Sequence, residues 1–274
     1  MTRDFDFEDM RSRVADVSRL FLVSDFDGTL APIAHSPERV ELQYQTRELL
    51  NKLTEQPKVV LAIISGRSLR DVLQKAAIPA IYGGNHGLEL SGPGIEFVHP
   101  EVSHFEDRLD HVCTQLEQDI SAWSGAWIEN KTLTATVHFR EVPVAQWPML
   151  ISSARMRVAS HQQFFRLRSG HAALEITPRL AWDKGAALQY LRQKLELEDA
   201  LTICLGDDTT DESMFRAVQD GVTIRVGRTS HTEAAYCMPG GVDEVTRFLG
   251  DLVETIEATT CLSAVSQPRS GVCR

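Results

Sequence analysis

Short, unbroken apolar segments recur along this chain, and each one is followed by small or polar residues. The clearest of these segments are residues 20–23, 59–64 and 201–205. The segments between or after them that are compatible with helices are residues 44–54, 68–77 and 183–195. Continuous apolar strands that alternate with helices are typical of a parallel sheet covered on both faces. The chain is therefore predicted to have an α/β fold.

The pattern changes between residues 99 and 181. A predicted helix over 101–122 precedes strands at 127–131 and 133–140, and a helix over 145–159 precedes strands at 164–168 and 172–177. Two such units predict an antiparallel sheet backed by two helices. We therefore predict a parallel-sheet core at 18–98 and 182–254, an inserted α+β cap at 99–181, and a disordered tail at 255–274.

Charge and composition exclude several classes of function. Asp and Glu number 38 against 28 Lys and Arg, giving a net charge of −10, which argues against a nucleic-acid partner. The longest apolar run, 59–64, is too short to cross a membrane, and the acidic N-terminus is not a secretory signal. The five cysteines are widely spaced, unlike a disulfide framework or zinc site. We expect a cytoplasmic protein, acting as a monomer, without a membrane partner.

The first apolar segment ends in two acidic residues, within the run SDFDGTL at residues 24–30. Residues two apart in an extended chain point to the same side, so Asp25 and Asp27 share a face. Two neighbouring carboxylates repel each other unless a cation or a proton lies between them. A carboxylate can also attack phosphorus to give an acyl phosphate. An acidic turn is the structural alternative, but the position directly after a buried strand favours metal binding and catalysis.

The second apolar segment ends in Ser65-Gly66-Arg67. A hydroxyl and free backbone N–H groups at the start of a helix can hold phosphoryl oxygens. A motif of three residues often occurs by chance, so it indicates phosphate binding only in combination with the other motifs.

The third segment ends in GDDTTDE at residues 206–212, which places four acids within six residues. As a metal site the cluster is chemically sensible, with one carboxylate binding the ion and others ordering its waters. The alternative is an acidic helix N-terminus stabilised by the helix dipole. Upstream, Lys184 lies at the start of a predicted helix, which is an unfavourable place for a cation.

The order of these motifs, DxDGT, SGR, Lys and GDDTTD, resembles the haloacid-dehalogenase-like (HAD) phosphatase superfamily. The resemblance implies a Rossmann-like core with an inserted cap, and a catalytic set made of Asp25, Asp27, Ser65 and Lys184. Asp25 is expected to be the nucleophile and Asp27 the general acid and base. Ser65 and Lys184 are expected to bind the phosphoryl group, with Gly66 and Arg67 next to it.

The same resemblance implies a Mg²⁺ cofactor. Its expected ligands are the carboxylates of Asp25 and Asp207 and the backbone carbonyl of Asp27. Asp208 and Asp211 are expected to support the ion from the second layer or through water.

Further runs are similar to the trehalose-6-phosphate phosphatase branch of that superfamily. They are GNHGLE at 84–89, WIENK at 127–131, VHFR at 137–140 and LEI at 174–176 followed by Pro178. A Phe at position 139 departs from the Tyr that is more common in this branch. The substrate-binding residues implied by these runs are His86, Glu129, Lys131, His138, Arg140 and Glu175. The alternative is that these charged side chains lie on a solvent-exposed face of the sheet and bind no substrate.

The resemblance implies a magnesium-dependent phosphatase that hydrolyses trehalose 6-phosphate, a small-molecule sugar phosphate, through an aspartyl-phosphate. One alternative is a phosphatase of another glycosyl phosphate, such as glucosylglycerol phosphate or mannosyl-3-phosphoglycerate, because such enzymes share the core and differ in the cap. An alternative of another class is a non-catalytic sugar-phosphate-binding regulator. The presence of both Asp25 and Asp27 argues against the regulator, because binding alone does not require the second acid.

Overall fold

A computed structural model describes residues 2–34, 36–170, 172–229 and 231–265. Its helices are α1 (Glu8–Asp16), α2 (Tyr44–Thr54), α3 (Leu69–Ala76), α4 (Glu106–Ile120), α5 (Trp147–Ala159), α6 (Lys184–Lys194), α7 (Glu212–Ala217) and α8 (Val242–Val265). Its strands are β1 (Arg3–Asp4), β2 (Leu20–Ser24), β3 (Val59–Ile64), β4 (Ile81–Gly84), β5 (Glu89–Gly92), β6 (Ile95–Val98), β7 (Trp127–Asn130), β8 (Ala135–His138), β9 (Phe165–Gly170), β10 (Ala173–Pro178), β11 (Leu201–Gly206), β12 (Val222–Val226) and β13 (Tyr236–Met238).

The larger sheet in the described part of the chain has nine strands in the order β1-β13-β12-β11-β2-β3-β4-β5-β6. Its pairs are parallel from β1 across to β4, and antiparallel from β4 to β6. The order places β11, β2 and β3 side by side at the centre. The β5–β6 hairpin, which the apolar runs did not predict, extends one edge.

Strand β2 explains why the apolar runs are unbroken. Leu20 and Leu22 pack on one face of the sheet, in a cluster that includes residues of α1, α2, α3 and α8. Phe21 and Val23 pack on the other face, in a cluster with residues of α6 and α7. A strand that is covered on both faces needs apolar residues at every position.

The smaller sheet is antiparallel, with the strand order β7-β8-β10-β9. One face packs on α4 and α5, through residues such as Val137, Leu174 and Ile176. The alternate residues of the same strands carry polar groups on the opposite face. This α+β unit matches the predicted insertion in kind. The exact boundaries at residues 98/99 and 181/182 stay predictions.

The last helix is longer than the sequence predicted. We expected a helix over 242–254 and a disordered tail from residue 255, but α8 continues to Val265. The apolar stripe of the helix carries it past residue 254, because Ile256 continues the helical spacing of Leu249, Leu252 and Val253 and all four lie in the core. Residues 266–274 of the predicted tail lie outside the described residues. In the part of the chain that the structure describes, no helix combines the length and apolarity needed to cross a membrane.

The buried end of α8 generates a stability prediction. Ile256→Ala should lower the free energy of unfolding by about 2–5 kcal/mol, because the side chain is fully buried in the core. Its exposed neighbour Glu257 provides the control, and Glu257→Ala should change the value by less than about 0.5 kcal/mol. Urea denaturation followed by circular dichroism measures both. Equal effects for the two variants would contradict the observed packing.

Candidate active site

Three neighbouring strands bring polar residues to one edge of the large sheet. Asp25 follows β2, Ser65 follows β3, and Asp207 follows β11. The carboxyl ends of parallel strands are the usual place for a ligand in such a sheet. All three residues line a cavity of about 240 Å³, whose other wall comes from the small sheet. The motifs that are far apart in the sequence therefore meet in one cleft.

A buried ion cluster forms the floor of this cleft. The Lys184 Nζ lies 2.7 Å from the Asp25 Oδ1 and 2.7 Å from the Asp211 Oδ1. Lys184 is the first residue of α6, and the Asp183 side chain caps that helix by accepting the N–H of Ala186. The start of α6 therefore fixes the position of the Lys184 backbone. From this position the Lys184 ammonium group reaches the carboxylates of both Asp25 and Asp211.

The ion cluster shifts the acidities of its members. Burial raises the pKa of Asp25 well above its ordinary value, although Lys184 opposes the shift. Burial also raises the pKa of Asp207 to about 6, with the charge of Asp211 acting in the same direction. Burial alone would lower the pKa of Lys184, but Asp211 and Asp25 outweigh it and raise that pKa. Lys184 is therefore charged at neutral pH.

The donor set at this site fits a divalent cation. Asp25, Asp207 and Asp211 each offer a carboxylate oxygen within 4.8 Å of the others. Three carboxylates face one ammonium, so the cluster keeps an excess of negative charge that a hard, oxygen-seeking cation would balance. Burial is the main cause of the raised pKa values of Asp25 and Asp207, and the charges of the neighbouring acids act in the same direction.

The carboxylates of the acidic cluster have different roles. Both oxygens of Asp211 are occupied, one by Lys184 and the other by the N–H of Asp208 at 2.9 Å. Asp211 therefore positions Lys184 and the 208–211 turn, while Asp25 and Asp207 remain to face a cation. A β-carbon at Gly28, whose φ is +79°, would lie 2.2 Å from the Asp207 Oδ2. The glycine of the DxDGT run is thus needed for the approach of Asp207.

Asp27 is held by Arg67. The Arg67 Nε donates to the Asp27 Oδ2 and its Nη2 donates to the Asp27 Oδ1, both at 2.7 Å. The remaining Nη1 donates to Asp71 at 2.5 Å. The guanidinium lines the cleft, but all three of its nitrogens are used within the protein. In this structure Arg67 orients Asp27, and its predicted contact with substrate stays a prediction.

Ser65 lies next to this pair. Its side chain is buried, and its Oγ accepts the N–H of Arg67 at 3.2 Å. The hydroxyl proton is therefore available to a ligand in the cleft. Gly66 follows without a side chain, which leaves room for His86, because a β-carbon at Gly66 would lie 2.8 Å from the His86 Cε1.

The predicted substrate residues of the cap lie on the face of the small sheet that lines the cleft. Glu129 is bound by the His138 Nε2 at 2.9 Å and lies 3.9 Å from the Lys131 Nζ. Burial raises the pKa of Glu129, but the hydrogen bond from His138 and the charge of Lys131 outweigh it, so this pKa is below its ordinary value. Glu129 is therefore an ionised acceptor.

Several contacts join the cap to the core across the cleft. Lys131 donates from its Nζ to the carbonyl of Gly66 at 2.9 Å. The His86 Nε2 lies 3.3 Å from the Glu175 Oε2. Arg140 donates to the carbonyl of Ala34 at 2.5 Å. The residues named from the sequence are therefore brought together, and they are not spread over an outer sheet face.

The sequence interpretation missed several residues of the cleft, including two neighbours of Glu129 and His138. Trp127 and Thr136 also line the cavity, on the same sheet face as Glu129 and His138. Strand alternation could have found them, because Trp127 is two residues before Glu129 and Thr136 is two residues before His138.

Comparison with known proteins gives a consistent result. The family model described as "Trehalose-phosphatase" matches residues 23–239. Trehalose-phosphate phosphatase B from Arabidopsis thaliana is 30% identical over 253 residues, which cover 86% of this chain and 67% of that protein. Probable trehalose-phosphate phosphatase C from the same plant is 31% identical over 257 residues, covering 88% and 79%. The C-terminal domain of the C. albicans trehalose-6-phosphate phosphatase has a TM-score of 0.81 at 21% identity, covering 93% and 99%. The structural likeness confirms the predicted fold class.

The geometry of the acidic cluster generates a binding prediction. Asp207→Asn should weaken Mg²⁺ binding by at least about tenfold, because a neutral amide replaces one of the two carboxylates left to face the ion. Isothermal titration calorimetry with MgCl₂ measures the affinity directly. The exposed Asp220 provides a matched control, and Asp220→Asn should bind the ion like the wild type. Unchanged affinity in Asp207→Asn would place the metal site elsewhere.

Proposed function

This chain belongs to the trehalose-phosphatase family, and from that premise we propose that it hydrolyses trehalose 6-phosphate to trehalose and phosphate through an aspartyl-phosphate at Asp25. The family match agrees with the resemblance drawn from the four motifs. The single observation that carries the proposed chemistry is the position of Asp25 in the cleft, bound to Lys184 and close to the other acids.

The proposed first step is transfer of the phosphoryl group to Asp25. A carboxylate oxygen of Asp25 attacks phosphorus, the bond between phosphorus and the sugar oxygen breaks, and Asp27 gives a proton to that oxygen. The ammonium group of Lys184 stabilises the negative charge on the phosphoryl oxygens, and the Ser65 hydroxyl donates to one of them. Each of these groups lines the same cavity.

The proposed second step is hydrolysis of the aspartyl-phosphate. Asp27, now a carboxylate, takes a proton from water, and the water oxygen attacks phosphorus to release phosphate and regenerate Asp25. The bidentate contact with Arg67 fixes the direction of the Asp27 carboxyl group.

A divalent metal is implied by the family and fits the acidic cluster, and we propose Mg²⁺. Asp25, Asp207 and the backbone carbonyl of Asp27 would hold it, with Asp208 and Asp211 in support. When bound, the ion supplies charge neutralisation for the phosphoryl group.

The cap supports a sugar phosphate as the substrate. Glu129 and Glu175 can accept hydrogen bonds from sugar hydroxyls, and Lys131, His138, Arg140 and His86 can donate them. Relatives named as trehalose-phosphate phosphatases favour trehalose 6-phosphate over glucosylglycerol phosphate or mannosyl-3-phosphoglycerate. The non-catalytic regulator is not favoured, because Asp25, Asp27 and Lys184 are all present.

The location, the oligomeric state and the partners of the protein are also proposed. We propose a cytoplasmic monomer whose partner is this small molecule, without a nucleic-acid or membrane partner, in line with the net charge of −10. We also propose that residues 99–181 act as the cap over a core made of 18–98 and 182–254.

Asp25→Asn tests the nucleophile. Turnover of trehalose 6-phosphate should fall below about 1% of the wild-type rate, because an amide oxygen cannot form the acyl phosphate. A phosphate-release assay with Mg²⁺ measures the loss, and circular dichroism verifies the fold. Asp220→Asn should keep full activity. Removal of the metal with a chelator should abolish the activity of the wild-type enzyme. Activity of Asp25→Asn near the wild-type level would contradict the assignment.

Glu175→Gln tests the role of the cap. Turnover of trehalose 6-phosphate should fall by at least about tenfold, because a remote contact that positions the substrate is weakened. Para-nitrophenyl phosphate lacks the sugar hydroxyls, so its hydrolysis should be nearly unchanged. Arg140→Ala should behave in the same way. Equal losses on both esters would instead assign these residues to maintenance of the fold.

A further inference from the structure

Arg67 joins separate segments of the core through its guanidinium group. Its side chain is only 9% exposed. The Nε and Nη2 donate to the two oxygens of Asp27, both at 2.7 Å, so Asp27 occupies one edge of the group. At the far end, Nη2 also donates to the carbonyl of Pro37 at 3.0 Å, and Nη1 donates to the Asp71 Oδ2 at 2.5 Å. The guanidinium is therefore held at both of these edges.

An aromatic ring covers one face of the same group. The Arg67 Cζ lies 5.7 Å from the centroid of the Phe26 ring, and Phe26 is fully buried. A ring on one face fixes the depth of a planar guanidinium, but it does not prevent the group from turning within its own plane. The hydrogen bonds at the edges set that rotation, so Asp71 and the Pro37 carbonyl decide how Arg67 faces Asp27.

The start of α3 fixes Asp71. Asp71 is the third residue of this helix, and its N–H donates to the Ser68 Oγ at 3.3 Å and to the Ser68 carbonyl at 3.1 Å. The helix dipole also favours a carboxylate in the first turn. Because Asp71 follows Arg67 by four residues, this turn brings its carboxylate to the Arg67 Nη1.

Asp71 lies behind Arg67 and outside the cleft. The residues that line the cavity include Asp27 and Arg67 but not Asp71. The Asp71 side chain is 35% exposed. A partly exposed ion pair contributes little to the free energy of folding. An effect of Asp71 on the reaction therefore has to pass through Arg67.

Other anions compete for the Arg67 guanidinium. Burial raises the pKa of Glu129, but neighbouring groups that include Arg67 lower it, so the charge of Arg67 acts on the cap across the cleft. A phosphoryl group held at Ser65 is a second competitor, because the Ser65 Oγ accepts the N–H of Arg67 at 3.2 Å. A guanidinium that turned towards either anion would lose its bidentate contact with Asp27.

We propose that Asp71 is a positioning residue for proton transfer from Asp27 to the leaving oxygen, because it holds Arg67 in the orientation that aligns Asp27. The proposal rests on the proposed function and deepens its first step. A general acid acts only within hydrogen-bond reach of the leaving oxygen, and a small misalignment is costly. Such a group has to be held by neighbours that are themselves fixed, as Asp71 is by the start of α3.

The leaving group reports on this role. A basic leaving oxygen needs a proton when its bond to phosphorus breaks, whereas para-nitrophenolate leaves readily without one. Under initial-rate conditions, kcat/KM covers the steps up to this bond cleavage, so it does not depend on hydrolysis of the aspartyl-phosphate. Phenyl phosphate and para-nitrophenyl phosphate differ in leaving group but not in sugar contacts, since neither carries a sugar.

Asp71→Ala is the direct test. The value of kcat/KM should fall at least about tenfold for trehalose 6-phosphate and for phenyl phosphate, and stay within about threefold for para-nitrophenyl phosphate. Asp71→Asn keeps an acceptor oxygen for Arg67 and should recover most of the loss. Asp243, an exposed acid in the first turn of α8, provides the matched control. Asp243→Ala should behave like the wild type on all three esters.

A double-mutant cycle tests whether Asp71 acts through Asp27. In an Asp27→Asn background no acid remains to be aligned, so Asp71→Ala should cause no further loss of kcat/KM for phenyl phosphate. Isothermal titration calorimetry should also give the wild-type Mg²⁺ affinity for Asp71→Ala, because Asp71 does not belong to the acidic cluster. General damage to the site would instead weaken metal binding and lower the activity of both backgrounds.

The outcomes separate the positioning role from the proposed function. Equal losses on all three esters in Asp71→Ala, or no loss on any, would overturn the role of Asp71 and leave the proposed function standing. Additive losses in the double variant would also overturn that role. If Asp27→Asn lowers kcat/KM for phenyl and para-nitrophenyl phosphate by the same factor, proton donation by Asp27 is refuted, and the premise of the inference fails with it.

Discussion

The contact of Lys184 with Asp25 and Asp211 is the interaction on which the rest of the site depends. Three buried charged groups are tolerated because each one has a partner within 2.7 Å. Removing one partner of such a cluster would leave an uncompensated buried charge, which typically costs about 3–5 kcal/mol. The parallel sheet supplies the necessary geometry by ending β2 and β11 side by side. The helix start at Lys184 supplies the cation.

The core and the cap are joined by two kinds of contact. Near the links between them, Leu88, Val102, Leu133 and Leu180 form a small apolar cluster. Across the cleft the contacts are polar, and Lys131, for example, donates from its Nζ to the carbonyl of Gly66 at 2.9 Å. Hydroxyl groups of a sugar can take the place of polar contacts with little loss, whereas apolar ones cannot be replaced in this way. The polar lining therefore suits a substrate rich in hydroxyls.

The sequence predicted the features that follow from local patterns. Continuous apolar runs predicted β2, β3 and β11, because a strand covered on both faces tolerates few polar residues. The motif order predicted which residues would meet in the cleft. The sequence did not predict the Arg67–Asp27 contact, because that contact depends on packing between distant segments. The length of α8 was underestimated because the polar composition of the following residues outweighed the apolar spacing that continues to Ile256. Trp127 and Thr136 were missed because a tryptophan or threonine in a strand is ordinary until the cleft face is known.

The central claim is that Asp25 becomes covalently phosphorylated during turnover. Borohydride reduces an acyl phosphate but not a free carboxylate, so enzyme quenched during steady-state turnover can be treated with borohydride, digested and analysed by mass spectrometry. The account predicts reduction to homoserine at position 25, dependent on trehalose 6-phosphate. Efficient turnover without any modification at Asp25, or with modification at another acid, would contradict it.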